Sequence, residues 1–248
     1  MALFSRVSPL NEPAIQMDTP TDISAWRKER RKALLARREA ADRATFERWC
    51  AAIDAHLELG FPGLARGTLG FCWPYRGEHD ARHVAAHFRA RGARTALPVV
   101  KQARAPLVFR EWHPGVALAP GALGIPFPVD SPEVRPDAVL VPVVGFDDAG
   151  YRLGYGGGFF DRTLAAAEAG ARPAAIGIAF ELCRLPTIHP QPHDVPMDYV
   201  VSERGIYRRD GAKLEFLGAP RPGADGGLTS PVCYAGDAER PEFKDGGP

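Results

Sequence analysis

Gly154, Gly156, Gly157 and Gly158 crowd one short stretch between Arg152 and Asp161. Glycine lets backbone N–H groups approach an oxyanion with no Cβ in the way. A helix start behind such a loop adds unpaired N–H groups and the positive end of a dipole. Arg152 supplies a permanent cation that can bind an oxyanion through two donors. Asp161 falls in or near the first helical turn, where a carboxylate is favoured and can hold Mg2+ beside phosphates. The pattern predicts a phosphate site. It is not a P-loop, which needs a Lys-Ser/Thr pair after its last glycine, where Phe159-Phe160 stand here. The dinucleotide fingerprint would need glycine at Phe159.

Several elements must position this loop. Val139 to Val144 is a short, β-branched apolar run that fits a strand buried on both faces. Gly145 to Gly150 is turn-rich, and from Phe159 an Ala-rich helix runs to about Ala169. Further strands are expected over Thr68–Tyr75, Thr95–Val100, Pro106–Trp112 and Ala174–Phe180, with a last strand or hairpin over Asp198–Arg208. One helix is expected to start near Ile23, capped by Asp22 or Ser24, and to continue through Phe46, Trp49 and Ile53. Another covers Asp80–Arg91. Strands alternating with helices predict an α/β fold with a mainly parallel sheet covered on both faces. In an open sheet of this kind ligands sit at the carboxyl ends of the strands.

The first helix carries Arg27, Lys28, Arg30, Arg31, Lys32, Arg37 and Arg38, a run that ordinarily makes a solvated face. Lys101, just past a strand end, either reaches a phosphate or is an exposed loop charge. Pro114 to Pro136 is a long Pro- and Gly-rich loop over the core, with a substrate-covering role as the expectation. His79, Asp80 and His83 imitate the zinc-binding H-E-x-x-H helix, but Asp stands where the catalytic Glu would be.

At 248 residues the chain can form one large domain or two small ones, and its net charge of +1 argues against a dedicated nucleic-acid or membrane surface. Cys50, Cys72, Cys183 and Cys233 are far apart and form no CxxC, which fits a reducing cytoplasm. No apolar run approaches the ~20 residues of a membrane span, and no secretory pattern opens the chain.

The loop Arg152-Leu153-Gly154-Tyr155-Gly156-Gly157-Gly158-Phe159-Phe160-Asp161-Arg162 resembles the signature of the 5-formyltetrahydrofolate cyclo-ligase family, also called 5,10-methenyltetrahydrofolate synthetases. Phe71 to Glu78 resembles the family's first-strand folate segment. Trp112 to Gly115 and Leu123 to Pro128 resemble its central "W-x-P-G … G-I-P-x-P" segment. Ile176 to Phe180 and His193 to Asp198 resemble its last strand and acidic turn, and order and spacing fit from about Ile23 to Tyr207.

The polar, Pro-containing stretch 1–21 reads as a mobile leader and the Gly/Pro-rich stretch 210–248 as a disordered tail. The resemblance implies a single three-layer α/β domain over 22–209. It implies a monomer acting on small molecules, with ATP as co-substrate and Mg2+ as cofactor. The reaction is closure of 5-formyltetrahydrofolate to 5,10-methenyltetrahydrofolate. Arg27, Arg152, Gly154, Gly156, Gly157 and Gly158 would hold the phosphates, Arg152 also being the catalytic charge. Asp161 and Asp194 would bind the metal; Trp73, Glu78 and Tyr155 would line the folate side. Two positions depart from the family pattern: Ile23 stands where a lysine is common, which leaves Arg31 to help Arg27, and Tyr155 stands where some members carry a basic residue. Two other readings remain: a folate- or nucleotide-binding protein without turnover, and a zinc hydrolase built on His79 and His83.

Overall fold

The computed structural model describes residues 19–167 and 172–222. Nine strands form the main sheet: β1 (Thr68–Gly70), β2 (Arg94–Val99), β3 (Val108–Trp112), β4 (Glu133–Val134), β5 (Ala138–Pro142), β6 (Ala174–Ile178), β7 (Tyr199–Ser202), β8 (Gly205–Asp210) and β9 (Lys213–Gly218). Their order across the sheet is β9-β8-β7-β6-β5-β1-β2-β3-β4. The central strands β7, β6, β5, β1 and β2 pair in parallel. The edges are antiparallel on both sides. The α/β class and the mainly parallel centre are as the apolar runs predict.

Alternate side chains of the central strands feed two different cores. Leu69, Leu97, Leu140, Ile176 and Val201 face α2 (Arg43–Gly60) and α3 (Arg82–Ala90), meeting Ile53, Leu57, Val84 and Phe88. Val139, Val141, Ala175 and Val200 face the other way, with Leu164 of α4 (Phe159–Ala165). A strand covered on both faces has no polar side, which is why these runs are continuously apolar.

A third, smaller core lies past the strand ends. Leu34 and Leu35 of α1 (Ile23–Glu39) pack there on Val144, Leu153, Cys183 and Ile188. Close approach is needed: a Cβ on Gly145 would stand 2.7 Å from Leu34 Cδ1 and 3.1 Å from the Cys183 carbonyl. This core fixes α1 beside the loop that follows β5.

Three expectations are corrected. The single long N-terminal helix is two, because Ala40 closes α1 and the Asp42 side chain caps α2 by accepting from the Thr45 N–H. The helix after the glycines ends at Ala165; 168–171 lie outside the described residues. The tail assigned from 210 onward begins with an ordered strand, β9. Gly211 turns the chain at φ +54°, and the Phe216 ring then packs tilted on Tyr207, centroids 4.8 Å apart, across the ladder. Of the leader and tail, 1–18 and 223–248 lie outside the described residues.

The chain between β5 and α4 is tied down by Asp147. Buried at 1% exposure, its carboxylate accepts from the Ala149, Tyr151 and Ile188 N–H groups at 2.9 to 3.0 Å. Asp147→Ala leaves three backbone donors without their acceptor. It should lower stability by about 2 to 4 kcal/mol in urea unfolding; an unchanged midpoint would mean the carboxylate does not hold this segment.

Candidate functional site

From β1 the chain builds outward through β2 to β3; from β5 it builds the opposite way through β6 to β7. The crevice between the carboxyl ends of β1 and β5 is therefore the switch point where open sheets bind ligands. Glu78 follows β1 and the glycine loop follows β5.

Gly145–Asp147 and Arg152–Leu153 form a short antiparallel hairpin that presents the loop. Gly156 and Gly158 take φ of +97° and +62°, conformations glycine adopts without strain. Two guanidinium groups flank the loop. Arg31 of α1 donates from Nε to the Gly154 carbonyl at 2.7 Å, and its Cζ lies 3.5 Å from where a Gly156 Cβ would stand. Arg162 donates to the Gly157 carbonyl, and its Nη1 lies 2.9 Å from where a Gly158 Cβ would stand. Neither is ion-paired to a carboxylate among the described residues. Because α4 is one short helix of 7 residues, its dipole is a lesser attraction for an anion than the loop N–H groups and these two charges.

Arg27 and Arg152, expected to face the phosphates, are each paired with a carboxylate. Arg27 Nη2 lies 2.5 Å from Asp194 Oδ2, and Arg27 also donates to the Ile188 and His189 carbonyls. Arg152, 7% exposed, lies 2.7 Å from Asp161 Oδ1. The Val195 backbone bridges that pair, accepting from Arg152 at 2.6 Å and donating to Asp161 at 3.0 Å. These two ion pairs clip the 188–195 segment to α1 and to the loop. Burial pushes the Asp194 carboxyl up, but the Arg27 and Gln191 N–H hydrogen bonds outweigh it and hold it below its usual range.

Asp161 and Asp194 differ in what they leave for a metal. Both Asp194 oxygens are engaged, by Arg27 and by the Gln191 N–H. Only Oδ1 of Asp161 has a partner among the described residues. One open carboxylate oxygen beside phosphate oxygens is a donor set that fits Mg2+; Asp194 would first have to release Arg27.

Of the residues expected to line the folate, Glu78 is 6% exposed. Its Oε1 accepts from the Tyr155 hydroxyl at 2.8 Å, its Oε2 from the Tyr75 N–H at 3.0 Å. Burial pushes its carboxyl above the usual range. Tyr155, whose own hydroxyl is raised by burial and by Glu78, is 38% exposed and leans on Tyr75. Trp73 presents one face to Arg82, 4.5 Å away, and an edge contact to Trp112.

Other candidates lie elsewhere. Lys101 pairs with Glu133 on β4. His79 bonds Asp54 at 2.6 Å while the His83 side chain is 77% exposed, so the two do not converge. Among the described residues no three His, Cys, Asp or Glu side chains gather as a metal site. The sequence pattern gives Arg31 only a helping role and does not distinguish Arg38 or Arg162 from their neighbours. Helical spacing carried the signal for Arg31 and Arg38: they sit three or four residues from the buried Leu34 and Leu35.

The fold and these residues define an α/β protein with a glycine loop flanked by two guanidinium groups, beside a buried carboxylate, at the switch point of its sheet. The chain belongs to the 5-formyltetrahydrofolate cyclo-ligase family, a family of ligases, whose profile matches residues 23–203. A 5-formyltetrahydrofolate cyclo-ligase of Mycolicibacterium smegmatis is 40% identical over 124 residues, 46% of this chain and 63% of that protein, so just under two thirds of that relative is spanned. One from Escherichia coli K12 is 30% identical over 152 residues, 59% of this chain and 83% of that protein. The solution structure of an Aquifex aeolicus 5,10-methenyltetrahydrofolate synthetase superposes with a TM-score of 0.64 at 28% identity, covering 77% of this chain and 97% of the other. A Mycoplasma pneumoniae synthetase, at 21% identity and a TM-score of 0.58, shares the fold over 71% of this chain and 98% of its own.

Arg27 and Arg31 should separate on mutation. Arg27→Ala leaves Asp194 buried and unpaired and should cost roughly 2 to 3 kcal/mol of stability at neutral pH. Because the folded-state carboxyl is depressed, that contribution is full above about pH 4 and is lost as pH falls through the folded pKa, so the difference from wild type should shrink there. Arg31→Ala should leave unfolding near wild type and weaken inorganic triphosphate binding about tenfold by calorimetry. The reverse pattern would exchange their roles.

Proposed function

We propose that the protein uses ATP and Mg2+ to close 5-formyltetrahydrofolate to 5,10-methenyltetrahydrofolate, releasing ADP and phosphate. The observation that carries this reading, beside family membership, is the 2.8 Å hydrogen bond from Tyr155 to Glu78. It joins a residue of the anion loop to the acceptor carboxylate, so that a phosphate subsite and a ring-binding subsite adjoin.

The chemistry needs such adjacency. A formamide oxygen is a poor leaving group. Transfer of the γ-phosphoryl group onto it breaks the bond to ADP and makes it a good one. N10 then attacks the formyl carbon; the C–O bond breaks, and the N10 proton leaves with the phosphate. The protein mainly positions two substrates and neutralises the transferring group. The Gly154 to Gly158 backbone, with Arg31 and Arg162 on its flanks, takes the phosphate chain. Arg152 and Arg27 border it and keep the 188–195 segment in place. Asp161, with Asp194 behind it, would hold Mg2+, which when bound offsets phosphate charge. Glu78 accepts from the N–H donors of the pterin, and Trp73 and Tyr155 give it an apolar wall.

Protein mixed with 5-formyltetrahydrofolate, Mg2+ and ATP should show an ATP-dependent rise in the near-ultraviolet absorbance of the conjugated methenyl product. A flat trace with folded protein would favour the binding protein without turnover. Arg152→Ala and Asp161→Ala should each lower kcat/KM by at least about 100-fold with the fold retained. Near-normal activity in either would remove that residue from the site.

A further inference from the structure

Arg38, in the last turn of α1, is 3% exposed. Its neighbour Arg37 is exposed, so burial is particular to this position. The guanidinium donates to the Arg76 carbonyl from Nε and Nη2 at 3.1 and 2.8 Å, and to the Val143 carbonyl from Nη1 at 3.3 Å. Nη2 also donates to the Tyr155 hydroxyl oxygen at 2.9 Å and stands 4.0 Å from Glu78 Oε1. A buried guanidinium needs a counter-charge. Glu78 is the one carboxylate in its ion-pair range among the described residues.

We infer that Arg38 is a positioning residue for the folate side of the site: it aims the Tyr155 hydroxyl at Glu78 and keeps that carboxylate an acceptor for the ring N–H groups of the substrate. This rests on the cyclo-ligase reading given above. The aiming follows from donor counting. With Arg38 donating to the Tyr155 oxygen, the hydroxyl's one proton goes to the nearer acceptor, Glu78 Oε1 at 2.8 Å, over the Tyr75 carbonyl at 3.4 Å. The acceptor role follows from charge. Burial drives Glu78 towards its neutral form, against Tyr155, Arg38 and the Tyr75 N–H, which favour the anion. A protonated Glu78 would present a donor where the pterin needs an acceptor.

No other group nearby can replace Arg38. Cys72, two residues past β1, is pushed well up by burial and stays neutral. His79 directs Nε2 to Asp54. Arg76 spends its guanidinium on Glu39. The cavity lined by Arg38, Cys72, Glu78 and His79 has a volume of about 10 Å3, room for about one water molecule.

The test compares full-length wild type with Arg38→Met, Arg38→Lys and Tyr155→Phe. It measures kcat/KM for 5-formyltetrahydrofolate against pH, KM for ATP, and thermal unfolding. In Arg38→Met the folate KM should rise at least about tenfold at neutral pH, and the acid limb of the profile should move up by about one pH unit. The ATP KM should stay near wild type. Arg38→Lys should restore part of the limb, and Tyr155→Phe should move it the same way. An unmoved limb in Arg38→Met, or ATP and folate KM rising together with lowered stability, overturns the inference. Should Arg38→Met fail to fold, Tyr155→Phe decides, an unmoved limb again being contrary. If wild type forms no methenyl product, the cyclo-ligase reading fails by itself; the pH dependence of 5-formyltetrahydrofolate binding to the same proteins then decides the role of Arg38. Absence of any folate binding overturns both.

Discussion

The site is organised around a carboxylate and a guanidinium that have both been taken out of water. Glu78 and Arg38 are 6% and 3% exposed. The cost of desolvating both groups offsets their Coulomb attraction at 4.0 Å, so the pair persists because other partners satisfy the remaining donors and lone pairs. Those partners come from three parts of the chain: Tyr75 and Arg76 after β1, Val143 after β5, and Tyr155 in the glycine loop. Moving any one of them would leave a buried charge with one partner fewer. The small core of Leu34 and Leu35 on Val144, Leu153 and Ile188 is what brings the guanidinium to that place.

The sheet topology explains why these segments meet. Helices cover both faces of the parallel centre, and the chain builds outward in opposite directions from β1 and β5. That leaves one open crevice at the strand ends, and the two segments bordering it carry the carboxylate and the anion loop. A second level of fastening lies beneath. The Arg27–Asp194 and Arg152–Asp161 pairs draw the 188–195 segment against α1 and the loop, while Asp147 closes the hairpin from which the loop springs. Among the described residues, Arg31 and Arg162 flank the loop with no carboxylate partner.

Much of the architecture was legible in the sequence because it rests on local pattern. The apolar runs marked the central strands. The glycines marked the loop, and its flanking residues carried the family resemblance. The rest depends on pairing across the chain, which spacing does not display. Arg27 and Asp194 are 167 residues apart, and nothing local says that one will neutralise the other. Arg38 was hidden inside a basic run that reads as a solvated face, although Leu34 and Leu35, one helical turn before it, already marked the buried side. Strand β9 was masked by the Gly- and Pro-rich composition around it, yet Leu214 and Phe216 alternate with charged residues as strands do.

In the proposed reaction Glu78 accepts from the folate ring at a site distinct from, but adjoining, the glycine loop. Glu78→Gln removes the charge and keeps the shape. The most direct measurement is equilibrium binding of 5-formyltetrahydrofolate and, separately, of inorganic triphosphate to wild type and to this variant. Folate affinity should fall at least about tenfold, as expected for loss of a charged hydrogen-bond acceptor, while triphosphate affinity is unchanged. Unchanged folate affinity, or an equal loss for both ligands, would contradict it.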